Sequence, residues 1–290
     1  MTHASPSGKD SAEKIIMNVD LSINTELART ILTRFIHSEI TRSGFSRAVI
    51  ALSGGIDSAL SCYLAAEALG SENVLAVRMP YKTSSSDSLE HAQMVIDALG
   101  VPSITIPISG MADGLIERFP DMNSVRKGNI MARCRMIVLY DQSEVFHGLV
   151  VGTGNKTEIL LGYTTLYGDS ANAINPIGDL YKTQLRQLSR AIGVPAVIVE
   201  KPPTADLWLG QTDEGELGFT YAEVDQLLYL LVDQRYSPED CVAAGFAEGF
   251  VRKVVERVRR NHFKRILPPI AKISNRTIGY DFLYLRDWGS

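Results

Sequence analysis

Four short apolar runs, residues 48–52, 74–77, 104–108 and 149–151, alternate with helix-like stretches at 57–69, 87–99 and 125–140. This alternation predicts an α/β fold: a doubly wound parallel sheet with helices on both faces. Crossovers in such a sheet are right-handed, so every strand's carboxyl end opens onto one edge, where ligands bind at the topological switch point. Motifs that carry chemistry should therefore sit just after strands. Three do: the loop beginning at Ser53 follows the first run, Arg78-Met79-Pro80 ends the second, and Gly152-Thr153-Gly154-Asn155-Lys156 follows the fourth.

Ahead of the first run, Leu27, Ile31, Phe35, Ile36 and Ile40 recur at helical intervals behind an Asn-Thr-Glu start. Residues 24–41 thus read as an amphipathic helix that covers the core. Downstream, 182–192, 221–231 and 250–260 read as helices and Val197-Ile198-Val199 as a last short strand. Residues 202–218 are polar and Gly-containing, a composition that suits a mobile lid. Residues 1–23 are expected to be a flexible tail and 24–290 a single catalytic domain, since 290 residues that are 45% hydrophobic can build one large core.

With 29 basic and 33 acidic side chains dispersed along the chain, no broad cationic face is expected, which turns the expectation from nucleic acid to a small molecule. The three cysteines, Cys62, Cys134 and Cys241, are odd in number and far apart, as expected for a reducing cytoplasm. No stretch is long and apolar enough to span a bilayer, and the first twenty residues lack a signal peptide's apolar centre. A soluble, cytoplasmic protein is expected, with no membrane partner.

Ser53-Gly54-Gly55-Ile56-Asp57-Ser58 is the most informative motif. Two glycines let the backbone approach an anion, and the turn opens into a helix whose first N–H groups are unpaired and whose dipole is positive. Ser53 and Ser58 add hydroxyls, and Asp57 can hold a divalent cation bridging phosphate oxygens. The same residues would also make an ordinary tight turn and helix cap. Their position directly after an apolar β-branched run favours phosphate binding. No Gly-Lys-Ser/Thr follows at Walker A spacing, and GxGxxG is absent from the loop, which argues against simple NTPases and ordinary dehydrogenases.

SGGxDS resembles the signature of the PP-loop ATP pyrophosphatases, whose Rossmann-like, adenine nucleotide alpha-hydrolase-like fold cleaves ATP between its α and β phosphates to adenylate a substrate. Several further stretches narrow the resemblance. They are Lys127 to Met136 (KGNIMARCRM), Gly152 to Glu158 (GTGNKTE), Tyr167-Gly168-Asp169 and Asn175 to Thr183 (NPIGDLYKT), then Pro203 to Leu207 (PTADL), Gly210 to Gly218 (GQTDEGELG) and the tail around Lys264-Arg265 and Pro268-Pro269. Falling in one order from about residue 24 onward, they resemble the NAD synthetase family.

That resemblance implies an AMP-forming carbon–nitrogen ligase: ATP adenylates the nicotinate carboxylate of deamido-NAD, and ammonia then displaces AMP to give NAD. It implies that Ala51, Leu52, Ser53, Gly54, Gly55, Ile56, Asp57 and Ser58 wrap the triphosphate, with Asp57 and Glu158 as Mg2+ ligands. Thr153, Lys182 and Thr204 match ATP-contacting positions, although alone they read more simply as a turn residue, a solvated lysine and a cap. Arg78, at a strand's carboxyl end, is placed to reach ATP. Arg133, Leu166, Ala173, Phe263 and Lys264 match positions for deamido-NAD; Leu166 and Ala173 stand where many relatives have Lys and Asp, so each loses a polar contact. Asp169 falls near the acceptor's reacting end, to orient ammonia or take its proton, and is assigned a catalytic role with Lys182.

Before Asn24 there is no room for the hydrolase region of glutamine-dependent relatives, so free ammonia, or ammonia from a separate protein, is expected. A homodimer is implied as well, with helix 125–140 contributing to the interface. The acidic run 213–216 reads as solvated loop charge, and the scattered histidines and cysteines argue against metal ligation by them or a nucleophilic triad. The alternatives are another AMP-forming PP-loop ligase, acting on tRNA or a different carboxylate, and a nucleotide-binding homologue without turnover.

Overall fold

A computed structural model describes residues 19–204 and 212–282. In chain order, α1 (Thr25–Arg42) precedes β1 (Ala48–Ala51), α2 (Ile56–Leu69), β2 (Val74–Arg78), α3 (Ser86–Leu99) and β3 (Ser103–Thr105). There follow α4 (Ser109–Ile116), α5 (Ser124–Phe146), β4 (Leu149–Val150) and α6 (Lys156–Leu161). The remainder is helical: α7 (Lys182–Ala191), α8 (Ala196–Glu200), α9 (Asp213–Leu217), α10 (Tyr221–Leu228), α11 (Pro238–Ala243) and α12 (Glu248–Arg260).

The four strands form a parallel sheet in the order β3-β2-β1-β4, with Ala48 opposite both Val74 and Leu149. The chain thus runs outward from β1 to β3 and returns to the other side of β1, so the switch point lies between β1 and β4. Alternation along the strands explains the two faces. Ala48, Ile50, Val74 and Ala76 pack on the side of α2, and Val49, Leu75 and Val77 on the side of α4 and α5, all buried. A further core joins α6, α10, α11 and α12 around Val224, Leu227, Cys241 and Val254. This is the expected α/β architecture.

Helix α2 is buried almost all round, through Ala59, Leu60, Ser61, Cys62, Leu64 and Ala65. Its small residues let it pass between the sheet, α1 and α7. Burial pushes the Cys62 thiol up to about 12, which leaves almost no thiolate near neutrality. Iodoacetamide at pH 8 should therefore leave Cys62 unmodified in the folded protein and label it after denaturation; peptide mapping that finds native-state labelling contradicts this packing.

Several expectations are corrected. Val197-Ile198-Val199 belongs to helix α8 and not to a strand, because Pro195 starts a turn and a short apolar run fits a buried helix as well as a strand. Only part of the α1 stripe covers the core: Ile36 and Ile40 are buried, whereas Leu27 and Ile31 are 55% exposed and Phe35 is 37% exposed. Helix 221–231 gives way after Leu228 to a π turn over Tyr229–Asp233. Of the expected tail, residues 1–18 lie outside the described residues; Leu21 is buried, and the Val19 and Ile23 amides donate to Gln226 and Gln187. Residues 205–211 of the expected lid, with the motif residues Ala205 to Leu207 and Gly210-Gln211, are likewise outside the described residues.

Candidate active site

The loop after β1 folds on itself. The Ser53 amide donates to Ser58 Oγ (3.2 Å), the Gly55 amide to Ser53 Oγ (3.2 Å), and Ser58 Oγ to the Gly55 carbonyl (2.9 Å). Gly54 has φ +82°, and a Cβ there would stand 2.0 Å from the Ser88 carbonyl oxygen in α3. Glycine is thus required by conformation and by contact. The helix that follows starts at Gly55 without a side-chain cap, which leaves its first N–H groups available to an anion.

Beyond this loop a cleft of about 550 Å³ opens between β1 and β4. Ala51, Leu52, Ser53, Gly55, Ile56, Asp57, Ser58, Arg78, Thr153, Glu158, Asp169, Lys182, Thr204 and Lys264 line it. Gly54 lies behind the loop against α3. Arg133, Leu166, Ala173 and Phe263 are outside the lining. The Arg133 guanidinium instead donates to the Leu166 carbonyl (3.2 and 3.3 Å), while Ala173 and Phe263 are exposed.

At the centre stands Lys182, the first residue of α7, 2% exposed and buried between two carboxylates. Its ammonium donates to Asp57 (2.5 Å) and Glu158 (3.2 Å). Asn155, fully buried, caps α6 and donates its side-chain amide to the other Asp57 oxygen (2.8 Å). Burial pushes the Glu158 carboxyl up to about 8, with Lys182 opposing and Asp57 and Asp213 adding to the rise. The Lys182 ammonium is raised despite burial, by the negative charge of Asp57 and Glu158.

Asp213 corrects the expectation of a solvated acidic run. It is 4% exposed, accepts from the hydroxyls of Tyr221 (3.1 Å) and Tyr163 (3.2 Å), and lines the cleft with Glu216, which the Tyr163 hydroxyl also reaches. Burial raises its carboxyl above 3.8, opposed by Lys182. Charge type alone indicated solvent; the partners lie up to 50 residues away.

The carboxylates fit a magnesium ion. Asp57 and Glu158 both lie against the Lys182 ammonium, so the two carboxyl groups converge on one point of the cleft. Among the described residues no group of three or more His, Cys, Asp or Glu forms a closed metal cage. Two carboxylates beside an uncapped helix start suit Mg2+, which is commonly bound by one or two carboxylates together with substrate phosphates.

Asp169 opens onto the cleft with protein on its remaining sides; that partial dehydration raises its carboxyl above 3.8, opposed by the Thr165 amide, which donates at 2.7 Å. Lys264 donates to the Gly162 (2.7 Å) and Thr164 (2.6 Å) carbonyls, fixing the exit of α6. Arg78 donates to Gln93 (2.6 Å), and its Nε is buried without a partner.

Sequence reasoning also missed Arg135, which lines the cleft and donates from Nε to the Met79 carbonyl (3.1 Å). The signal was available: Asn129, Ala132, Arg135, Met136 and Leu139 recur at three- and four-residue spacing on the cleft-facing side of α5. Arg133, two residues earlier, is turned about 200° away at 3.6 residues per turn.

The sequence model of the NAD synthase family matches residues 29–268. The chain belongs to the NAD synthase family. Within it, the NH(3)-dependent NAD(+) synthetase of Trichlorobacter lovleyi is 58% identical over 93% of this chain and 98% of that protein. Among solved structures, the NMN synthetase of Francisella tularensis has TM-score 0.77 and 30% identity, and the NH3-dependent NAD synthetase of Campylobacter jejuni TM-score 0.74 and 31%. Each covers 87% of this chain and 100% of the other. Membership in the NAD synthase family makes the chain an enzyme, a ligase of NAD biosynthesis that binds nucleotide.

Proposed function

We propose that the cleft catalyses ATP-dependent amidation of deamido-NAD by ammonia, giving NAD, AMP and pyrophosphate through an adenylate. The observation that carries the site assignment is Lys182, buried between Asp57 and Glu158 where the open amino end of α2 meets the phosphate loop. The NH(3)-dependent relatives support the reaction and the nitrogen source.

A carboxylate is a poor electrophile, so its oxygen first attacks the α-phosphorus and the α–β phosphoanhydride bond breaks, releasing pyrophosphate. The first N–H groups of α2, at Ile56 to Ser58, hold the phosphates at the end of the loop 51–55, and Lys182 neutralises charge gathering on the departing pyrophosphate. Magnesium, held by Asp57 and Glu158, would supply further charge neutralisation. Thr153, Thr204 and Arg78 complete the nucleotide site. Ammonia then attacks the activated carbonyl carbon, its proton passes to Asp169, and AMP leaves with the oxygen donated by the carboxylate.

Arg133, Leu166, Ala173 and Phe263 lie outside the cleft of one chain, a placement that suits an acceptor extending to a subunit boundary. On α5, Ile137 and Tyr140 are exposed outside the cleft lining, which supports homodimerisation through that helix. Residues 24–290 would then act as one catalytic unit, in the cytoplasm. Among the described residues no helix is long and apolar enough to cross a membrane.

The test is incubation with ATP, magnesium, deamido-NAD and ammonium, followed by chromatography. NAD and AMP are expected in equal amounts, and their absence contradicts the reading. Nicotinate mononucleotide in place of deamido-NAD distinguishes the mononucleotide acceptor suggested by the Francisella neighbour's name.

Asp169 carries a pH prediction. Its carboxylate is the competent form, and its protonation range lies above that of an ordinary aspartate, so kcat rises with pH through a limb displaced upward. Asp169→Asn should remove that limb and slow amidation by roughly 100-fold. Undiminished amidation in that variant excludes the role.

A further inference from the structure

We infer that Asp225, outside the cleft, is a positioning residue that fixes Lys182 and Glu158 relative to each other. The inference rests on the proposed function and concerns how its site is held.

Asp225 is fully buried on α10, which packs against both α6 and α7. The Thr157 hydroxyl donates to its Oδ1 (2.6 Å), and the Thr183 amide donates to its Oδ2 (2.8 Å). Thr157 Oγ1 in turn accepts from the Lys182 amide (3.0 Å). Thr157 directly precedes Glu158 on α6, and Lys182 and Thr183 are the first two residues of α7. One carboxylate therefore joins the two helix starts that carry the opposed lysine and glutamate.

Local sequence cannot do this. The first N–H groups of a helix have no partner within it. The residue before α7 is Tyr181, whose side chain makes no capping bond there, its hydroxyl being turned to Asp233 (2.5 Å). The Lys182 and Thr183 amides are capped instead by Thr157 and Asp225, 25 and 42 residues away in sequence. A negative group at this end of α7 also complements the helix dipole. A buried carboxylate is costly unless its acceptor sites are filled, and here both oxygens accept hydrogen bonds.

Asn is isosteric with Asp but cannot accept from both the Thr157 hydroxyl and the Thr183 amide on charged oxygens. Asp225→Asn should lower kcat by about 10- to 100-fold, the usual range for a residue that orients another, with KM for deamido-NAD within threefold of wild type. Thr157→Val should reproduce the kcat loss and Thr157→Ser recover most of it, because serine keeps the hydroxyl. Val224→Ala, which loosens the buried face of α10 without touching the cap, serves as the stability control and should lower the melting temperature without that kcat loss. A kcat within twofold of wild type in Asp225→Asn, equal impairment in Thr157→Ser and Thr157→Val, or the same kcat loss in Val224→Ala overturns the inference. If Asp225→Asn fails to fold, the two Thr157 variants decide. A wild-type chain that makes no NAD overturns the functional reading, and this inference with it; an active wild type with a fully active Asp225→Asn overturns the inference alone.

Discussion

Replacing Lys182 with methionine is expected to lower kcat by roughly 100- to 1,000-fold, the range seen when one preorganised donor to developing charge is lost. Methionine keeps length and apolar volume, so the change isolates the ammonium. It also leaves Asp57 and Glu158 facing each other uncompensated in a buried setting. Removing one partner of a buried pair costs about 3–5 kcal/mol when the other charge remains. Glu158 can escape by taking a proton. Its carboxyl already stands at about 8 in the folded protein against 4.5 for an ordinary glutamate, and loss of the opposing ammonium moves it higher. The folded state then binds more protons than the unfolded, so stability falls as pH rises from 4.5 toward and beyond 8. Between 4.5 and about 8 wild type and variant carry the same extra proton and fall together, so the melting temperature of the variant should decline relative to wild type above about 8. A flat difference, or a variant with more than a tenth of wild-type kcat, contradicts the central role of the lysine.

Gly54→Ala is expected to be the most damaging single methyl group in the loop after β1. The residue has φ +82°, where a side chain costs about 1–2 kcal/mol. The new Cβ would also lie 2.0 Å from the Ser88 carbonyl oxygen, so α3 or the loop must move by about 1 Å, and a displacement of that size at a catalytic loop costs on the order of 100-fold in rate. Gly55 offers the comparison: a Cβ there meets only Ser53 Oγ at 3.3 Å. Gly55→Ala should therefore melt close to wild type, while Gly54→Ala melts lower and binds ATP far more weakly. Calorimetric titration with ATP and thermal denaturation distinguish them; equal melting temperatures would show that the contact with Ser88 does not constrain the loop.

The architecture was legible in the sequence because strand and helix periods differ and because motifs after β1 and β4 must meet at the switch point. Residues 51–58 were singled out on that ground and on the motif resemblance, Glu158 and Lys182 on the family resemblance alone, and all but Gly54 line one cleft. What stayed hidden depends on partners distant in sequence. Asp213 looked like solvated charge because Tyr163 and Lys182 approach it only in three dimensions. Val197-Ile198-Val199 looked like a strand because three β-branched residues carry no period long enough to distinguish it from a helix turn. Asp225 was invisible for the same reason as Asp213: its importance lies in bonds to Thr157 and Thr183 on two other helices.

The central claim is that the acceptor carboxylate attacks the α-phosphorus and later leaves one of its oxygens on AMP. Deamido-NAD labelled with heavy oxygen in the nicotinate carboxylate, turned over with ATP, magnesium and ammonium, tests this by mass spectrometry of the products. The prediction is one labelled oxygen in each AMP formed and none in pyrophosphate. NAD formed with unlabelled AMP, or with the label in pyrophosphate, would contradict the adenylate and with it the chemistry assigned to the cleft.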